Sequence, residues 1–150
     1  MKKPTIGIIG NGFVGEAQAF AFSPVSDIRI YDIDPLKSTH NLNQTHDSDF
    51  VFVCVPTTMC NDGNQNLEFV KKVFKQATEK PIYILKSTVL PGTTDKLKET
   101  HSQLKIVFSP EFLTERTSKL DMLTQNRIIL GGKKSITSQV RKIYELRFKN

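Results

Sequence analysis

The stretch of sequence that decides the fold is Ile6-Gly7-Ile8-Ile9-Gly10-Asn11-Gly12-Phe13-Val14-Gly15. A short apolar run leads into a glycine-rich turn and then into a helical pattern, which is typical of a buried strand followed by a helix. The glycines at positions 10, 12 and 15 have the G-x-G-x-x-G spacing. In that motif the first glycine permits the tight turn, the second lets backbone approach a pyrophosphate, and the third lets helix and strand pack closely. The stretch therefore predicts a dinucleotide site.

An acidic residue supports this interpretation. A second strand pattern over residues 28–31 ends at Asp32, about 20 residues after Gly12. At that spacing a carboxylate accepts hydrogen bonds from the ribose hydroxyls of NAD, whereas it would repel the 2′-phosphate of NADP. We therefore predict NAD as the cofactor. The alternative is a strand–turn–helix without a ligand, because closely spaced glycines also arise in ordinary turns.

Composition limits the class of protein. The chain has 150 residues and 38% hydrophobic residues, which suits one domain over residues 1–150 with a sizeable core. No apolar run approaches the roughly 20 residues of a membrane helix. The two cysteines, Cys54 and Cys60, make no disulfide framework, so we expect a cytoplasmic location. Neither the histidines nor the cysteines have the spacing of metal ligands, so we predict no metal site.

The formal net charge of +6 is concentrated at the end of the chain. Residues 133–150 hold six lysines and arginines and one glutamate, on a predicted helix whose apolar stripe includes Val140 and Tyr144. A basic segment can bind nucleic acid, but this one lacks interleaved aromatic residues and a recognition motif. We therefore favour a solvated helix face.

Apolar runs alternate with helical patterns along the whole chain. The predicted strands are residues 5–9, 28–31, 49–55, 81–85, 104–108 and 127–130, and the main predicted helices are residues 13–22, 67–77, 91–102 and 133–150. This alternation predicts an α/β fold, a Rossmann-type doubly wound parallel sheet with helices on both faces, in a single domain. Residues 34–49 form a polar connection, which we expect to be mobile because it offers little apolar area to offset the entropy of ordering.

Polar residues follow the predicted strands where those strands end. These clusters are residues 10–15, Asp32, Pro56-Thr57, Ser87-Thr88 and Pro110-Glu111. Ligands of doubly wound sheets bind beyond the carboxyl ends of the strands. The clusters therefore predict one cleft at that edge.

Two blocks are far more specific than the glycine spacing: Lys86-Ser87-Thr88-Val89-Leu90-Pro91-Gly92-Thr93-Thr94 and Ser109-Pro110-Glu111-Phe112-Leu113-Thr114-Glu115-Arg116. Together with residues 10–15, 31–34, 52–57 and 126–132, they resemble the NAD-binding N-terminal domain of the UDP-glucose/GDP-mannose 6-dehydrogenases. Members of that family oxidise the C6 alcohol of a nucleotide sugar to a carboxylate, using two NAD. The resemblance implies an NAD-dependent oxidoreductase of the same type, with a UDP- or GDP-sugar as the possible substrate.

The resemblance also implies roles for individual residues. Those expected at the cofactor are Gly10, Asn11, Gly12, Phe13, Val14, Gly15, Asp32, Lys37, Val53, Cys54, Val55, Pro56, Thr57, Ser87, Thr88, Val89 and Glu115. Those expected at the substrate are Glu111, Phe112, Leu113 and Glu115. Two catalytic roles are implied: Thr88 orders a water, and Glu111 helps to activate it.

Residue chemistry leaves alternatives open for several of these positions. Thr88 could instead cap the helix that follows, and Glu111 could be a surface acid or a helix cap. Lys86 could reach a phosphate or extend along the surface into solvent. Cys54, inside an apolar strand, is expected to be a buried and inert thiol.

The chain also departs from the family pattern. Its connection over residues 34–49 is shortened, so we expect a strand and helices of the family to be missing there. It ends at Asn150, before the connecting helix and second domain that supply the family's catalytic thiol, lysine and asparagine. Arg116 replaces the usual glycine after Glu115. We therefore expect a chain that binds NAD but is incomplete as an enzyme. The alternative is a non-catalytic NAD-binding module or a subunit that acts with a partner chain, and we expect either a homo-oligomer or such a partner.

Overall fold

The computed structural model describes residues 3–148 and has a five-stranded parallel sheet at its centre. The strands are β1 (Thr5–Ile9), β2 (Asp27–Tyr31), β3 (Phe50–Val53), β4 (Ile82–Leu85) and β5 (Lys105–Phe108). They lie in the order β2-β1-β3-β4-β5, and every neighbouring pair is parallel. This is a doubly wound order, and its direction reverses between β1 and β3. The predicted fold is confirmed, and the reversal marks the expected position of a ligand.

Six α-helices connect or cover the strands. They are α1 (Phe13–Phe22), α2 (Leu42–His46), α3 (Glu68–Lys75), α4 (Thr93–Thr100), α5 (Ser118–Thr124) and α6 (Lys134–Arg147) within residues 3–148. Two short 3₁₀ turns lie at Pro35–Lys37 and Glu115–Thr117. The sequence predicted α1, α3, α4 and α6, whereas α5 was not foreseen. Lys149 of the predicted basic helix lies outside the described residues.

The sheet separates two apolar cores, one on each face. In β3, Phe52 faces the core formed with α1 and α6, whereas Val51 and Val53 face the core formed with α3 and α4. Burying a large apolar side chain contributes about 1.5–3 kcal/mol. An unbroken apolar strand is therefore what a sheet covered on both faces requires.

One predicted strand end was wrong, and one predicted strand does not form. β3 ends at Val53 rather than Val55, and residues 127–130 form no strand among the described residues. There the chain pairs with β5 only through Gly131, which exchanges two backbone hydrogen bonds with Phe108 in an antiparallel bridge. Ile128 and Leu130 are apolar because they pack against the α1–α6 core, which explains the misleading pattern.

The outer edge of β2 is covered in a similar way by the chain that follows it. The Ile30 N–H donates to Thr39 Oγ1 at 3.0 Å, and the Ile30 carbonyl accepts the backbone N–H groups of Thr39 and His40. The Asp32 N–H donates to Ser38 Oγ at 2.8 Å. The outward backbone groups of Ile30 and Asp32 are thus bonded within the chain.

Residues 34–49 are more firmly packed than their composition suggests. Asn41 and Gln44 form a reciprocal capping box at the start of α2, and Thr45 and His46 are buried. α2 approaches β1 so closely that a Cβ on Gly7 would lie 2.6 Å from the Thr45 carbonyl oxygen. Small and polar side chains make this contact, so the segment buries little apolar area, and its predicted mobility stays a prediction.

His46 anchors α2 to the sheet. Its Nδ1 lies 2.8 Å from the hydroxyl of Tyr83 on β4, and the side chain is only 1% exposed. Burial lowers the pKa of His46 from its ordinary value of 6.5. Near neutral pH the folded protein therefore holds this histidine neutral. The contribution of the His46 contact to stability is fully present above about pH 6.5.

We expect acid to destabilise the fold through His46. As the pH falls below about 6.5, the unfolded chain binds a proton before the folded one, so the free energy of unfolding falls by up to about 1.4 kcal/mol per pH unit. The decline stops at the lower pKa of the folded state. Urea unfolding at about pH 7.5 and pH 5.5 measures it, and His46→Gln should flatten the difference. His40→Gln, on the same segment, is the control, and an equal flattening there would contradict the assignment.

No helix within residues 3–148 is long and apolar enough to cross a membrane. No group of three histidine, cysteine, aspartate or glutamate side chains in that part of the chain is arranged to hold a metal ion.

Candidate functional site

Three glycines shape the turn between β1 and α1. Gly10 has a φ of 90°, and its N–H donates to the Tyr31 carbonyl at 2.9 Å. A Cβ on Gly15 would overlap the Gly10 carbonyl oxygen, so the helix packs onto the turn only without a side chain there. A Cβ on Gly12 would meet no atom within 4 Å among the described residues. Gly12 therefore faces open space at the first turn of α1, which suits a closely approaching ligand.

Asp32 is held in a fixed orientation beside this turn. One carboxylate oxygen accepts the Asn11 N–H at 2.6 Å, and the other accepts the Asp34 N–H at 2.8 Å. The Asn11 amide in turn donates to the Lys37 carbonyl at 2.9 Å. These bonds fix the carboxylate at the end of β2, where each oxygen retains a further lone pair for a hydroxyl donor.

A cleft of about 440 Å³ opens at the carboxyl ends of β1, β3 and β4. Its lining residues are Gly10, Gly12, Phe13, Val14, Asp32, Ile33, Lys37, Cys54, Val55, Pro56, Thr57, Lys86, Ser87, Thr88 and Glu111. A smaller, mainly apolar cavity of about 190 Å³ shares Gly10, Asp32 and Val55 with it and extends toward α3. The strand ends thus enclose one continuous groove at the reversal point of the sheet.

Hydroxyl groups tie the loops after β3 and β4 together. Ser87 Oγ donates to the Val55 carbonyl at 2.7 Å, and Thr57 Oγ1 donates to the Thr88 carbonyl at 2.5 Å. Both bonds cross between the two loops that line the cleft. The wall opposite the glycine turn is therefore held by bonds between neighbouring strand ends.

Lys86 is buried at the end of β4, with 5% of its surface exposed. Its Nζ donates to the Pro110 carbonyl at 3.2 Å and to Ser109 Oγ at 3.4 Å, both after β5. Burial lowers the pKa of Lys86 to about 8, which the neighbouring Cys54 and Glu111 partly oppose. The alternative of an extension into solvent was wrong, because this ammonium group joins two strand ends.

Glu111 and Thr88, the residues with predicted catalytic roles, both line the cleft. A Glu111 carboxylate oxygen accepts the Leu113 N–H at 2.6 Å, which orients the half-buried side chain. Thr88 is exposed, and Gly92 rather than Thr88 occupies the N-cap position of α4. The capping alternative for Thr88 was therefore wrong.

Cys54 also lines the cleft, but its thiol is poorly suited to chemistry. Burial raises the pKa of Cys54 to about 12, so the thiolate is scarce near neutral pH. Cys54 is half-buried rather than fully buried as expected, and its raised pKa agrees with the expectation of an inert thiol.

The remaining predicted site residues lie outside this lining. Among residues 3–148 they are Asn11, Gly15, Val53, Val89, Phe112, Leu113 and Glu115. Phe112 lines a separate shallow cavity, where the Arg127 guanidinium stacks 4.9 Å from its ring centre. Glu115 is exposed on a 3₁₀ turn. Their predicted roles stay predictions. Ile33 lines the cleft beside Asp32 and was missed, although it directly follows the acid predicted to bind the ribose.

A family model decides the affiliation of the chain. The model described as the UDP-glucose/GDP-mannose dehydrogenase family, NAD binding domain, matches residues 30–147. The chain belongs to this family. The resemblance inferred from the sequence motifs is therefore confirmed, and the chain is an NAD-binding domain of UDP-glucose/GDP-mannose dehydrogenase type, with NAD as its cofactor.

Two UDP-glucose 6-dehydrogenases are similar to this chain in sequence. The UDP-glucose 6-dehydrogenase of Campylobacter jejuni is 31% identical, and the match covers 85% of this chain and 42% of that protein. The UDP-glucose 6-dehydrogenase of Streptococcus pneumoniae is 25% identical, with 84% of this chain and 40% of that protein covered. The chain thus spans about two fifths of the length of these relatives.

Solved structures of dehydrogenases have the same fold. A UDP-glucose dehydrogenase from Pyrobaculum islandicum superimposes with a TM-score of 0.83 at 21% identity, covering 97% of this chain and 44% of that one. A ternary complex of GDP-mannose dehydrogenase from Pseudomonas aeruginosa gives 0.81 at 20% identity, covering 94% and 44%.

Proposed function

We propose that this chain is the cofactor-binding part of an NAD-dependent nucleotide-sugar 6-dehydrogenase. The observation that carries the proposal is the cleft itself, which combines an open glycine turn, an oriented Asp32 and the two candidate catalytic residues Thr88 and Glu111. The similarity to UDP-glucose 6-dehydrogenases supports a UDP-sugar as the substrate.

The chain's own residues suit the parts of NAD in order along the groove. The open turn at Gly12 and the N-terminus of α1 suit the pyrophosphate, because unpaired N–H groups and the helix dipole favour negative charge. Asp32 suits the adenosine ribose, and the small apolar cavity beside it suits the adenine ring. The loops around Thr57 and Thr88 then line the nicotinamide half of the groove.

The chemistry follows from what faces this half of the groove. NAD, when bound in this groove, would supply the hydride acceptor for oxidation at the sugar's C6. Glu111 is oriented to take a proton from water, and Thr88 can hold that water through its hydroxyl group. Lys86 joins the Thr88 and Glu111 loops, so it holds the two groups at a fixed separation.

Cofactor preference tests this assignment. Because Asp32 would repel a 2′-phosphate, we expect calorimetric titration to give tighter binding of NAD than of NADP. Asp32→Ala should raise the affinity for NADP relative to NAD about tenfold, since it removes both the hydroxyl acceptor and the repulsion. Asp34→Asn, two residues further on, is the matched control and should leave the ratio unchanged. Tighter NADP binding by the wild type would contradict the role of Asp32.

Contact with a second chain is part of the proposal. Exposed apolar side chains lie on the neighbouring helices α1 and α5, where Phe20 is 47% and Leu120 is 60% exposed. Such residues support association with another copy or a partner chain. A cytoplasmic location stays a prediction from cysteine usage.

A further inference from the structure

A small hairpin over residues 58–66 lies beside the cleft. Met59 and Gln65 form its antiparallel bridge, and the Asn66 N–H donates to the Thr58 carbonyl at 2.7 Å. The Cys60 N–H donates to the Asn64 carbonyl at 2.7 Å, and Gly63 makes the turn with a φ of 83°. These bonds fix the position of Gln65 in the second half of the hairpin.

The Gln65 amide uses both of its polar atoms on one neighbouring segment. Its Nε2 donates to the Thr88 carbonyl at 2.8 Å, and its Oε1 accepts the Leu90 N–H at 3.2 Å. Residues 86–92 have neither helix nor strand structure. The amide therefore supplies the bonds that a paired strand would otherwise give to this stretch of backbone.

The Thr88 carbonyl is bonded from two directions. Thr57 Oγ1 donates to the same oxygen at 2.5 Å, from the loop that directly follows β3. A carbonyl oxygen has two lone pairs, so Thr57 and Gln65 together use its full capacity. The backbone of Thr88 is therefore fixed by hydrogen bonds, and Thr88 is an exposed residue that lines the cleft.

We propose that Gln65 is a positioning residue that fixes Thr88 for the nicotinamide half of NAD. This inference rests on the proposed function, because it takes the Thr88 end of the groove as the nicotinamide end. A wall already ordered before binding costs less entropy when the ligand arrives. Removing the Gln65 hydrogen bonds should therefore weaken contacts to nicotinamide and leave those to adenosine and pyrophosphate unchanged.

The experiment compares NAD with ADP-ribose, which lacks the nicotinamide ring, by calorimetric titration of the full chain. We expect Gln65→Ala to weaken NAD binding about fivefold to tenfold and to leave ADP-ribose within about twofold. Gln65→Glu removes the donor to Thr88 and should weaken NAD at least as much. Asn64→Ala is the matched control, since this amide of the same hairpin bonds to Asp62.

Gln65→Met has nearly the same length without the polar atoms, and it carries the test if circular dichroism shows that Gln65→Ala unfolds. An equal loss of NAD and ADP-ribose affinity would reduce Gln65 to a general structural role and overturn the inference. So would unchanged NAD binding by the Gln65 variants, or the same selective loss in Asn64→Ala. Failure of the wild type to bind NAD would instead overturn the proposed function, and with it this inference.

Discussion

Gly15→Ala is expected to destabilise the fold by about 3 kcal/mol and to weaken NAD binding at the same time. The new methyl group would overlap the Gly10 carbonyl oxygen, which is backbone and cannot rotate away. Either α1 must move off the turn or the turn must open, and both changes disturb the packing of Ala17 and Ala21 against the sheet. Urea unfolding measures the loss.

Gly12→Ala, in the same turn, is the matched control. Its backbone is extended with a φ of −78°, and a Cβ would meet open space, so we expect a change in stability of no more than about 1 kcal/mol. NAD binding should still weaken, because the methyl group occupies the space for the pyrophosphate. The two variants thus separate the glycine that packs the fold from the glycine that admits the ligand. Equal stability of both variants would refute this division.

The 150-residue chain, purified alone, is expected to bind NAD but to produce no NADH with UDP-glucose or GDP-mannose. Oxidation from alcohol to acid passes through an aldehyde, which must be captured by a nucleophile or hydrated before a second hydride can leave. Loss of a catalytic nucleophile costs several orders of magnitude in rate. Absorbance of NADH with each sugar measures the result.

The two cysteines of the chain explain this expectation. Burial raises the pKa of Cys54 to about 12, so its thiolate is scarce. Cys60 is exposed in the hairpin, and residues 57–66 contain no histidine, lysine or arginine to stabilise a thiolate there. Sustained NADH production that survives Cys60→Ala would show that the thiol is dispensable, and it would remove the main support for an incomplete site. A chain that binds NAD without turnover would also fit a non-catalytic module.

The sheet and the cofactor turn were predictable because local patterns determine them. β1 and the glycine spacing lie within ten residues of sequence, and the unbroken apolar run of β3 follows from burial on both faces of a parallel sheet. The position of the cleft followed from the same reasoning, since strand ends of a parallel sheet meet at one edge. Gly12 and Asp32 needed no long-range information.

Features that depend on distant partners could not be predicted. The contact that anchors α2 pairs His46 with Tyr83 on β4, which lies 37 residues further along the chain. The run at residues 127–130 has the apolar content of a strand, yet Ile128 and Leu130 pack against the α1–α6 core. Within residues 3–148, the backbone hydrogen bonds to β5 come from Gly131, just after the run. Helix α5 buries little apolar surface beyond Met122, so its periodicity was too weak to detect. Gln65 looked like an ordinary polar loop residue.

The hydrogen bonds at the two outer edges of the sheet have a consequence for aggregation. At the end of β2, the outward backbone groups of Ile30 and Asp32 are bonded to residues 38–40. At the end of β5, the backbone groups of Phe108 are bonded to Gly131. An open edge strand is a template for pairing with another chain, and it is a common route to aggregation. Here a foreign strand would first have to displace those bonds. These bonds therefore oppose edge-to-edge strand pairing at the end of β2 and at the end of β5.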